Sequence, residues 1–196
     1  YMINQILFVA IAYFIGSLSF GILASKIFSI SDPRTMGSKN PGATNVLRTG
    51  NKYAAIFTLL GDMLKATLVV MVALSYEISG LPLIALSLAV LLGHIFPIYH
   101  GFKGGKGVAT ALGILLAINW VLALSVLFVW LLFFLIFRYS SLSAIISSLA
   151  APFIAYFLNQ GQTIVIIASL VALLIVYRHQ SNINNLLHGK EASFKK

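Results

Sequence analysis

The 196-residue chain contains no cysteine and only four acidic residues, against thirteen Lys and Arg. Without cysteine, disulfides and thiolate-bound metals are excluded. The four carboxylates are scattered along the sequence, so they indicate neither an oxygen-ligated metal site nor a paired-carboxylate mechanism. Charged residues make up 9% of the chain and hydrophobic residues 60%. This composition lies outside the range of soluble domains and predicts an all-α, polytopic integral membrane protein.

Long runs without charge predict how often the chain crosses the bilayer. Crossings are expected at about 3–25, 53–75 and 81–99, each long enough for a hydrocarbon core of ~30 Å. The runs 107–137 and 139–177 are too long for one crossing each. Polar residues at Asn119 and at 159–162 predict where these runs break. Seven transmembrane helices follow, with the N-terminus outside and the C-terminus in the cytoplasm, because basic residues favour the cytoplasmic side.

This topology describes one transmembrane bundle, 1–196, whose cations lie at one face. Twelve of the thirteen Lys and Arg fall in the predicted cytoplasmic segments, which are loops 26–52, 100–107 and 138–141 and the tail 178–196. Such a surface suits anionic lipid headgroups and phosphorylated metabolites, and nucleic acid is not an expected partner.

The segment 37–50, GSKNPGATNVLRTG, has the composition of a phosphate-binding loop, and we call it the first loop. Glycines let backbone N–H groups converge on an anion, and an arginine can add a bidentate contact. The alternative is a flexible linker between two spans. The candidate phosphate ligands are Ser38, Asn40, Gly42, Thr44, Asn45 and Arg48.

The second loop, 102–107 or FKGGKG, places two lysines beside three glycines at the start of a helix. Lys103 alone would suffice as a positive-inside anchor, so Lys106 is the better ligand candidate. Lys103, Gly104 and Gly105 are further candidate phosphate ligands. The P-loop pattern GxxxxGK[ST] is absent, since Gly107 follows the lysine. Nucleotide hydrolysis is therefore not indicated.

Further polar residues lie near the predicted ends of spans or inside them. His179 closes the last span with Asn182 one turn on, and a general base, a helix cap and a phosphate donor all remain open for this histidine. His94 is expected to be a structural or supporting group. Asp62 and Lys65 are three apart within the second span, which predicts a structural ion pair.

Four segments together resemble the bacterial acyl-phosphate:glycerol-3-phosphate acyltransferases. They are GSKNPGATNVLRTGNK, GHIFPIYHGFKGGKGVATALG, YSSLSAIISS and RHQSNINNLLHGKE. The resemblance extends over nearly the whole chain. Two positions depart from the family pattern, since Lys39 stands where glycine is frequent and Asn185 where arginine is frequent.

The resemblance implies a seven-helix enzyme of the bacterial cytoplasmic (inner) membrane, with its active site facing the cytoplasm. It would transfer a fatty acyl group from acyl phosphate to the 1-hydroxyl of glycerol 3-phosphate, giving lysophosphatidic acid and phosphate. This is the first step of phospholipid synthesis, and no metal, cofactor or protein partner is implied. Because an acyl phosphate is already activated, positioning and charge stabilisation suffice without a covalent acyl-enzyme.

Within this reaction, the resemblance assigns phosphate binding to the two loops and completion of the site to residues further along the chain. The phosphate-orienting residues are Ser38, Asn45, Arg48 and Lys106. The residues that hold the glycerol hydroxyl or the transferred carbonyl are Ser141, Ser143, His179 and Asn182, and Ser141 is also a candidate phosphate ligand. The expected catalytic residues are Lys106, Ser143, His179 and Asn182. The proton acceptor is His179 or the donor's own phosphate. The alternative function is a small transporter of phosphorylated metabolites, which Asp62 and Lys65 within the membrane would suit.

Overall fold

The computed structural model describes residues 2–194, with side chains from Gln5 onward, and residues 195 and 196 of the predicted tail lie outside it. All regular structure in this part of the chain is helical, so the predicted all-α class is confirmed. The helices are α1 (Met2–Gly16), α2 (Phe20–Ile27), α3 (Ala43–Leu47), α4 (Lys52–Ser75), α5 (Gly80–Ile95), a 3-10 helix (Ile98–His100), α6 (Val108–Ile118), α7 (Trp120–Phe137), α8 (Ser140–Phe157), α9 (Gln162–Arg178) and α10 (Gln180–Leu187).

Several of these helices are long and apolar enough to cross a membrane. Within the described residues there are five such segments, and α9 with α10 forms a sixth if their 60° bend lies within one span. Helix α6 has 11 residues and is about 16 Å long, well short of a hydrocarbon core. Five or six spans follow from length and composition, and the count of seven and the orientation stay predictions. The five segments are Gln5–Ile27, Lys52–Ser75, Gly80–His100, Trp120–Phe137 and Ser140–Phe157.

Both predicted breaks in the long apolar runs are present. Asn119 separates α6 from α7, and its side-chain oxygen accepts a 3.0 Å hydrogen bond from the N–H of Leu122. This is the capping chemistry that makes asparagine frequent at helix N-termini. The second break ends at Gly161, which has a φ of +83° and directly precedes α9.

The first crossing differs from its prediction as one continuous helix. The helical chain stops at Gly16 and resumes at Phe20. The carbonyl of Leu18 accepts a 2.6 Å hydrogen bond from Lys65 Nζ of α4. The Leu18 carbonyl, at the interruption between α1 and α2, is therefore a hydrogen-bond acceptor for the buried ammonium of Lys65.

The chain divides into two compact units, Tyr1–Ala117 and Ile118–Lys196, and the single bundle 1–196 stays a prediction. In the first unit α4 packs against α1, α2, α3 and α5, and α1 also packs against α5. A Cβ at Gly16 would overlap the Val90 carbonyl, and one at Gly93 would overlap the Tyr13 carbonyl. These glycines allow the backbones of α1 and α5 to approach closely, as small residues do in membrane bundles.

In the second unit α8 packs against both α7 and α9, and α10 contacts α8 and α9. Small residues line the buried side of α8. After α10 the chain returns to the C-terminal end of α7. The N–H of Phe194 donates to the Arg138 carbonyl at 2.9 Å, and its ring lies 5.6 Å from that of Phe134. The buried residues of α8 are Ser141, Ser143, Ala144, Ser147, Ser148, Ala151 and Ala155.

Candidate functional site

The first loop is closed on itself by the side chain of Asn45, which lies on α3 and is 1% exposed. Its Oδ1 accepts from the N–H of Ser38 at 3.0 Å. Its Nδ2 donates to the carbonyls of Pro33 at 2.7 Å and Met36 at 3.1 Å. Both amide hydrogens of Asn45 are therefore donated to carbonyls just before the first loop, since an asparagine has only two. In this structure Asn45 determines the shape of the loop.

Gly37 lets two of the predicted ligands come close together. It has a φ of +54°, and a Cβ there would overlap Asn45 Oδ1 and lie 3.5 Å from Arg48 Cδ. Arg48 is exposed at the end of α3, and Ser38 is exposed beside Gly37. The structure thus groups Ser38, Asn45 and Arg48 around one glycine.

The remaining predicted ligands of the first loop lie at the start of α3. Gly42 precedes the helix, and a Cβ there would lie 3.0 Å from Asn40 Nδ2. Thr44 is half-buried within α3. Their proposed contact with phosphate stays a prediction.

Lys39 adopts a backbone conformation that suits glycine, with a φ of +55°. The resemblance to the family leads us to expect glycine at this position. For an L-residue other than glycine, the left-handed region costs roughly 1–2 kcal/mol. A lysine at position 39 therefore strains the backbone of the first loop.

One cation near the first loop is already paired. Arg34 Nη2 lies 2.6 Å from Asp32 Oδ2 in a partly exposed ion pair. The hydrogen bond from Arg34 lowers the pKa of Asp32 below its ordinary value, and the same bond raises the pKa of Arg34. Arg34 is thus neutralised by a neighbour two residues away.

The glycines of the second loop let it lie against the C-terminal end of α5. The N–H of Gly104 donates to the Ile95 carbonyl and that of Gly105 to the His94 carbonyl, both at 3.1 Å. A Cβ at Gly104 would overlap the His94 carbonyl, and one at Gly105 would overlap His94 Nε2. These amides therefore satisfy carbonyls at the end of a helix, where intrahelical donors are missing.

The two lysines of the second loop differ in environment. Lys106 is half-buried and is separated from α6 by Gly107, whereas Lys103 is exposed. The backbone N–H of Lys103 donates to the His100 carbonyl at 3.3 Å. Phosphate binding by Lys103, Gly104, Gly105 and Lys106 stays a prediction.

The predicted pairing of Asp62 with Lys65 is confirmed, with Nζ 2.9 Å from Asp62 Oδ1 and both side chains buried. The same ammonium contacts His94 Nδ1 at 3.1 Å. His94 is therefore a member of a buried polar network that lies beside the second loop.

In the second unit, Ser141 and Asn182 contact the same oxygen atom. Ser141 Oγ donates to Glu191 Oε1 at 2.6 Å, and Asn182 Nδ2 donates to it at 2.7 Å. Sequence reasoning did not select Glu191. A signal was present, because Glu191 is the one carboxylate in the otherwise basic and amide-rich segment 178–191.

His179 lies at the 60° bend between α9 and α10 and is 3% exposed. Its Nδ1 is 2.7 Å from the Ile175 carbonyl. Because a carbonyl only accepts, Nδ1 carries the proton, and Nε2 of the neutral ring keeps a lone pair. The contact thus assigns the proton of the neutral His179 ring to Nδ1.

Ser143 is fully buried on α8, and its Oγ donates to the Tyr139 carbonyl one turn earlier at 2.9 Å. Its hydroxyl hydrogen is therefore used by its own helix. Between residues 2 and 194, no three His, Cys, Asp or Glu side chains lie together as metal ligands would.

Helices of bilayer-spanning length and loops rich in glycine and cations define an integral membrane protein of the all-α class. Residues 6–189 match the glycerol-3-phosphate acyltransferase family, and the chain belongs to that family. The resemblance seen in the motifs is thereby confirmed.

Individual relatives match along nearly their whole length. The glycerol-3-phosphate acyltransferase of Cupriavidus metallidurans is 52% identical, with 97% of this chain and 96% of the relative covered. That of Methylobacillus flagellatus is 49% identical, with 98% of both covered. The crystal structure of PlsY (YgiH), an integral membrane glycerol 3-phosphate acyltransferase, in its glycerol 3-phosphate form has a TM-score of 0.93 at 38% identity, covering 98% of this chain and 96% of that one. The lysophosphatidic acid form gives a TM-score of 0.91 at 37% identity.

Proposed function

We propose that this chain transfers a fatty acyl group from acyl phosphate to the 1-hydroxyl of glycerol 3-phosphate, producing lysophosphatidic acid and inorganic phosphate. The observation that carries the proposal is the family match over residues 6–189, which includes both loops and the segment up to Gly189. Relatives at about half identity are named for acylation of glycerol 3-phosphate. The PlsY structures in glycerol 3-phosphate and lysophosphatidic acid forms support the substrate and the product.

With acyl phosphate as the donor, the acyl transfer needs no nucleophilic residue of the protein. The glycerol 1-hydroxyl oxygen attacks the acyl carbonyl carbon, the bond from that carbon to the phosphate oxygen breaks, and phosphate leaves. Since the donor is a mixed anhydride, no covalent acyl-enzyme is required. Orientation of two anions and stabilisation of the charge that develops on the carbonyl oxygen supply the acceleration.

Exposure and contacts support different roles for residues of the first unit. Arg48 and Ser38 contribute donors to a substrate phosphate, and Lys106 contributes a charge. Asn45 contributes by shaping the first loop, because both of its amide hydrogens are given to carbonyls. Gly104 and Gly105 contribute by letting the second loop lie against α5.

Residues of the second unit hold the glycerol hydroxyl or the transferred carbonyl. Glu191 orients Ser141 and Asn182 through one shared oxygen. His179 accepts the hydroxyl proton at Nε2, and the departing phosphate is the competing acceptor. The Nδ1–H bond to Ile175 supports the first assignment, because it directs the lone pair of the neutral ring to Nε2.

The topology belongs to the same proposal. We infer seven crossings in one bundle, with the C-terminus and both loops in the cytoplasm of a bacterial inner membrane. The gathering of twelve cations in four predicted cytoplasmic segments supports this orientation. Helix α6 would then be a short crossing that joins the second loop to the turn at Asn119.

The test is a comparison of acyl donors with the purified chain in detergent or a lipid mesophase. We expect lysophosphatidic acid from acyl phosphate and glycerol 3-phosphate, and no product when acyl coenzyme A or acylated carrier protein replaces acyl phosphate. Product from those thioesters alone would contradict the assigned donor. A transporter would instead accumulate glycerol 3-phosphate inside vesicles and form no lysophosphatidic acid.

A further inference from the structure

The ammonium of Lys65 has three hydrogens and three acceptors around it. These are the Leu18 carbonyl at 2.6 Å, Asp62 Oδ1 at 2.9 Å and His94 Nδ1 at 3.1 Å. An ammonium offers three donors and no acceptor, so this set satisfies it completely. Asp62, Lys65 and His94 are 2%, 5% and 7% exposed. A buried ion pair is stable only when such additional hydrogen bonds are made.

The two edges of the His94 ring contact different parts of the protein. His94 Nδ1 lies 3.1 Å from Lys65 Nζ and 3.4 Å from Asp62 Oδ1, so the Nδ1 edge of the ring faces the buried ion pair. The Nε2 edge faces Gly105, and the three atoms nearest to a Cβ built at Gly105 all belong to this ring. The backbone carbonyl of His94 also accepts the N–H of Gly105. One residue therefore joins the buried cation to the second loop.

The network also contacts the chain on the other side of Lys106. Thr110 Oγ1, in the first turn of α6, donates to the backbone carbonyl of Asp62 at 3.1 Å. Contacts from α4 and α5 thus hold the second loop before Lys106, at Gly104 and Gly105, and after it, at Thr110.

We propose that His94 is a positioning residue for the acyltransferase reaction. Held by Lys65 and Asp62, it fixes the backbone of Gly104, Gly105 and Lys106 in the conformation that binds a substrate phosphate. This inference rests on the function proposed above. In this proposal the buried charges of Asp62 and Lys65 maintain the conformation of the second loop, and they need not conduct protons.

A double-mutant cycle between His94 and Gly105 tests the contact directly. The φ of Gly105 lies outside the left-handed region, so an alanine there is opposed by the His94 ring and not by the backbone. We expect G105A to lower kcat/KM for glycerol 3-phosphate at least tenfold. In the H94A background the additional loss from G105A should be at most threefold, because the space of the ring is then vacant. Equal losses in both backgrounds would overturn the inference.

The variant H94F separates the hydrogen bond from the volume of the ring. It keeps an aromatic ring beside Gly105 and removes the acceptor for Lys65. We expect kcat/KM for glycerol 3-phosphate to fall at least tenfold while the monodisperse yield in detergent stays near wild type. The thermal midpoint should fall as well, because the buried ammonium of Lys65 loses one of its hydrogen-bond partners. The matched control is S87A, two helical turns earlier on α5, because Ser87 Oγ is buried and has no hydrogen-bond partner among the described residues. S87A should change kcat/KM less than twofold.

Hydrogen–deuterium exchange of the segment 101–107 gives a readout that does not depend on turnover. We expect faster exchange in H94F and G105A and wild-type exchange in S87A. G105A leaves Asp62, Lys65 and His94 in place, so it can be tested even if H94F fails to fold. Unchanged exchange together with unchanged kcat/KM in G105A would overturn the inference. A wild-type chain without acyltransferase activity would instead count against the proposed function, while the exchange comparison would still test the contact.

Discussion

Ser141 Oγ donates a 2.6 Å hydrogen bond to Glu191 Oε1, fifty positions later in the chain. The same oxygen accepts from Asn182 Nδ2. Two proposed site residues, one on α8 and one on α10, are therefore oriented by a single carboxylate. Hydrogen bonds to a charged acceptor are stronger than neutral ones, at about 1.5–3 kcal/mol each.

The first prediction concerns this carboxylate. E191Q should lower kcat at least tenfold, because an amide removes the charge and cannot accept both donors equally well. The thermal midpoint should fall by only a few degrees. Lys190 is the neighbouring exposed residue, and K190Q should leave kcat within twofold of wild type. Wild-type turnover in E191Q would show that the two donors do not need the carboxylate.

The second prediction concerns the cations of the two loops. R48A and K106A should each lower kcat/KM for glycerol 3-phosphate at least tenfold, since each removes a charge-assisted bond of about 1.5–3 kcal/mol. Steady-state assays of phosphate release measure this directly. K52A is the control, because Lys52 is exposed at the start of α4, and it should change kcat/KM less than twofold. Unaltered kinetics in both R48A and K106A would mean that the phosphate site lies elsewhere.

The third prediction concerns the proton acceptor. H179N keeps an N–H donor for the Ile175 carbonyl and has no basic nitrogen. If Nε2 of His179 accepts the hydroxyl proton, kcat should fall by about 10²–10⁴, while glycerol 3-phosphate binding measured by calorimetry stays within threefold. Near-normal kcat in H179N would assign the proton to the departing phosphate.

The fourth prediction concerns Lys39, whose φ of +55° favours glycine. K39G removes a strain of roughly 1–2 kcal/mol and adds a glycine entropy cost of roughly 0.5–1 kcal/mol. The net gain is at most about 1.5 kcal/mol, so the thermal midpoint in detergent should rise by up to about 6 °C. K39A is the matched control, since it removes the charge and keeps the strain, and it should not raise the midpoint. An equal rise in both variants would point to charge and not to the backbone.

Local chemistry made several features of the fold predictable. The break at Asn119 follows from helix capping by a neighbouring side chain, and the break at Gly161 follows from a left-handed glycine. The interruption after Gly16 was not predictable in this way. It coincides with a contact from Lys65, which lies 47 positions beyond Leu18, and no local pattern carries that information.

In the candidate site, too, some features were predictable from local sequence and others depend on contacts between distant residues. Composition and motifs selected the residues of the first loop, but the three hydrogen bonds of Asn45 reach seven to twelve positions back along the chain. Because of these hydrogen bonds, Asn45, which the motif indicated as a phosphate ligand, instead determines the shape of the first loop. Glu191 was missed because its importance depends on two donors, on α8 and α10, whose approach only the folded chain reveals.

The measurement that tests the account most directly is the stoichiometry of the reaction catalysed by the purified chain. Acyl phosphate and glycerol 3-phosphate are supplied without metal, coenzyme A or carrier protein, and both products are quantified over time. We expect one inorganic phosphate for each lysophosphatidic acid, with no phosphate released when glycerol 3-phosphate is omitted. Phosphate release that does not depend on glycerol 3-phosphate, or the absence of lysophosphatidic acid, would contradict it.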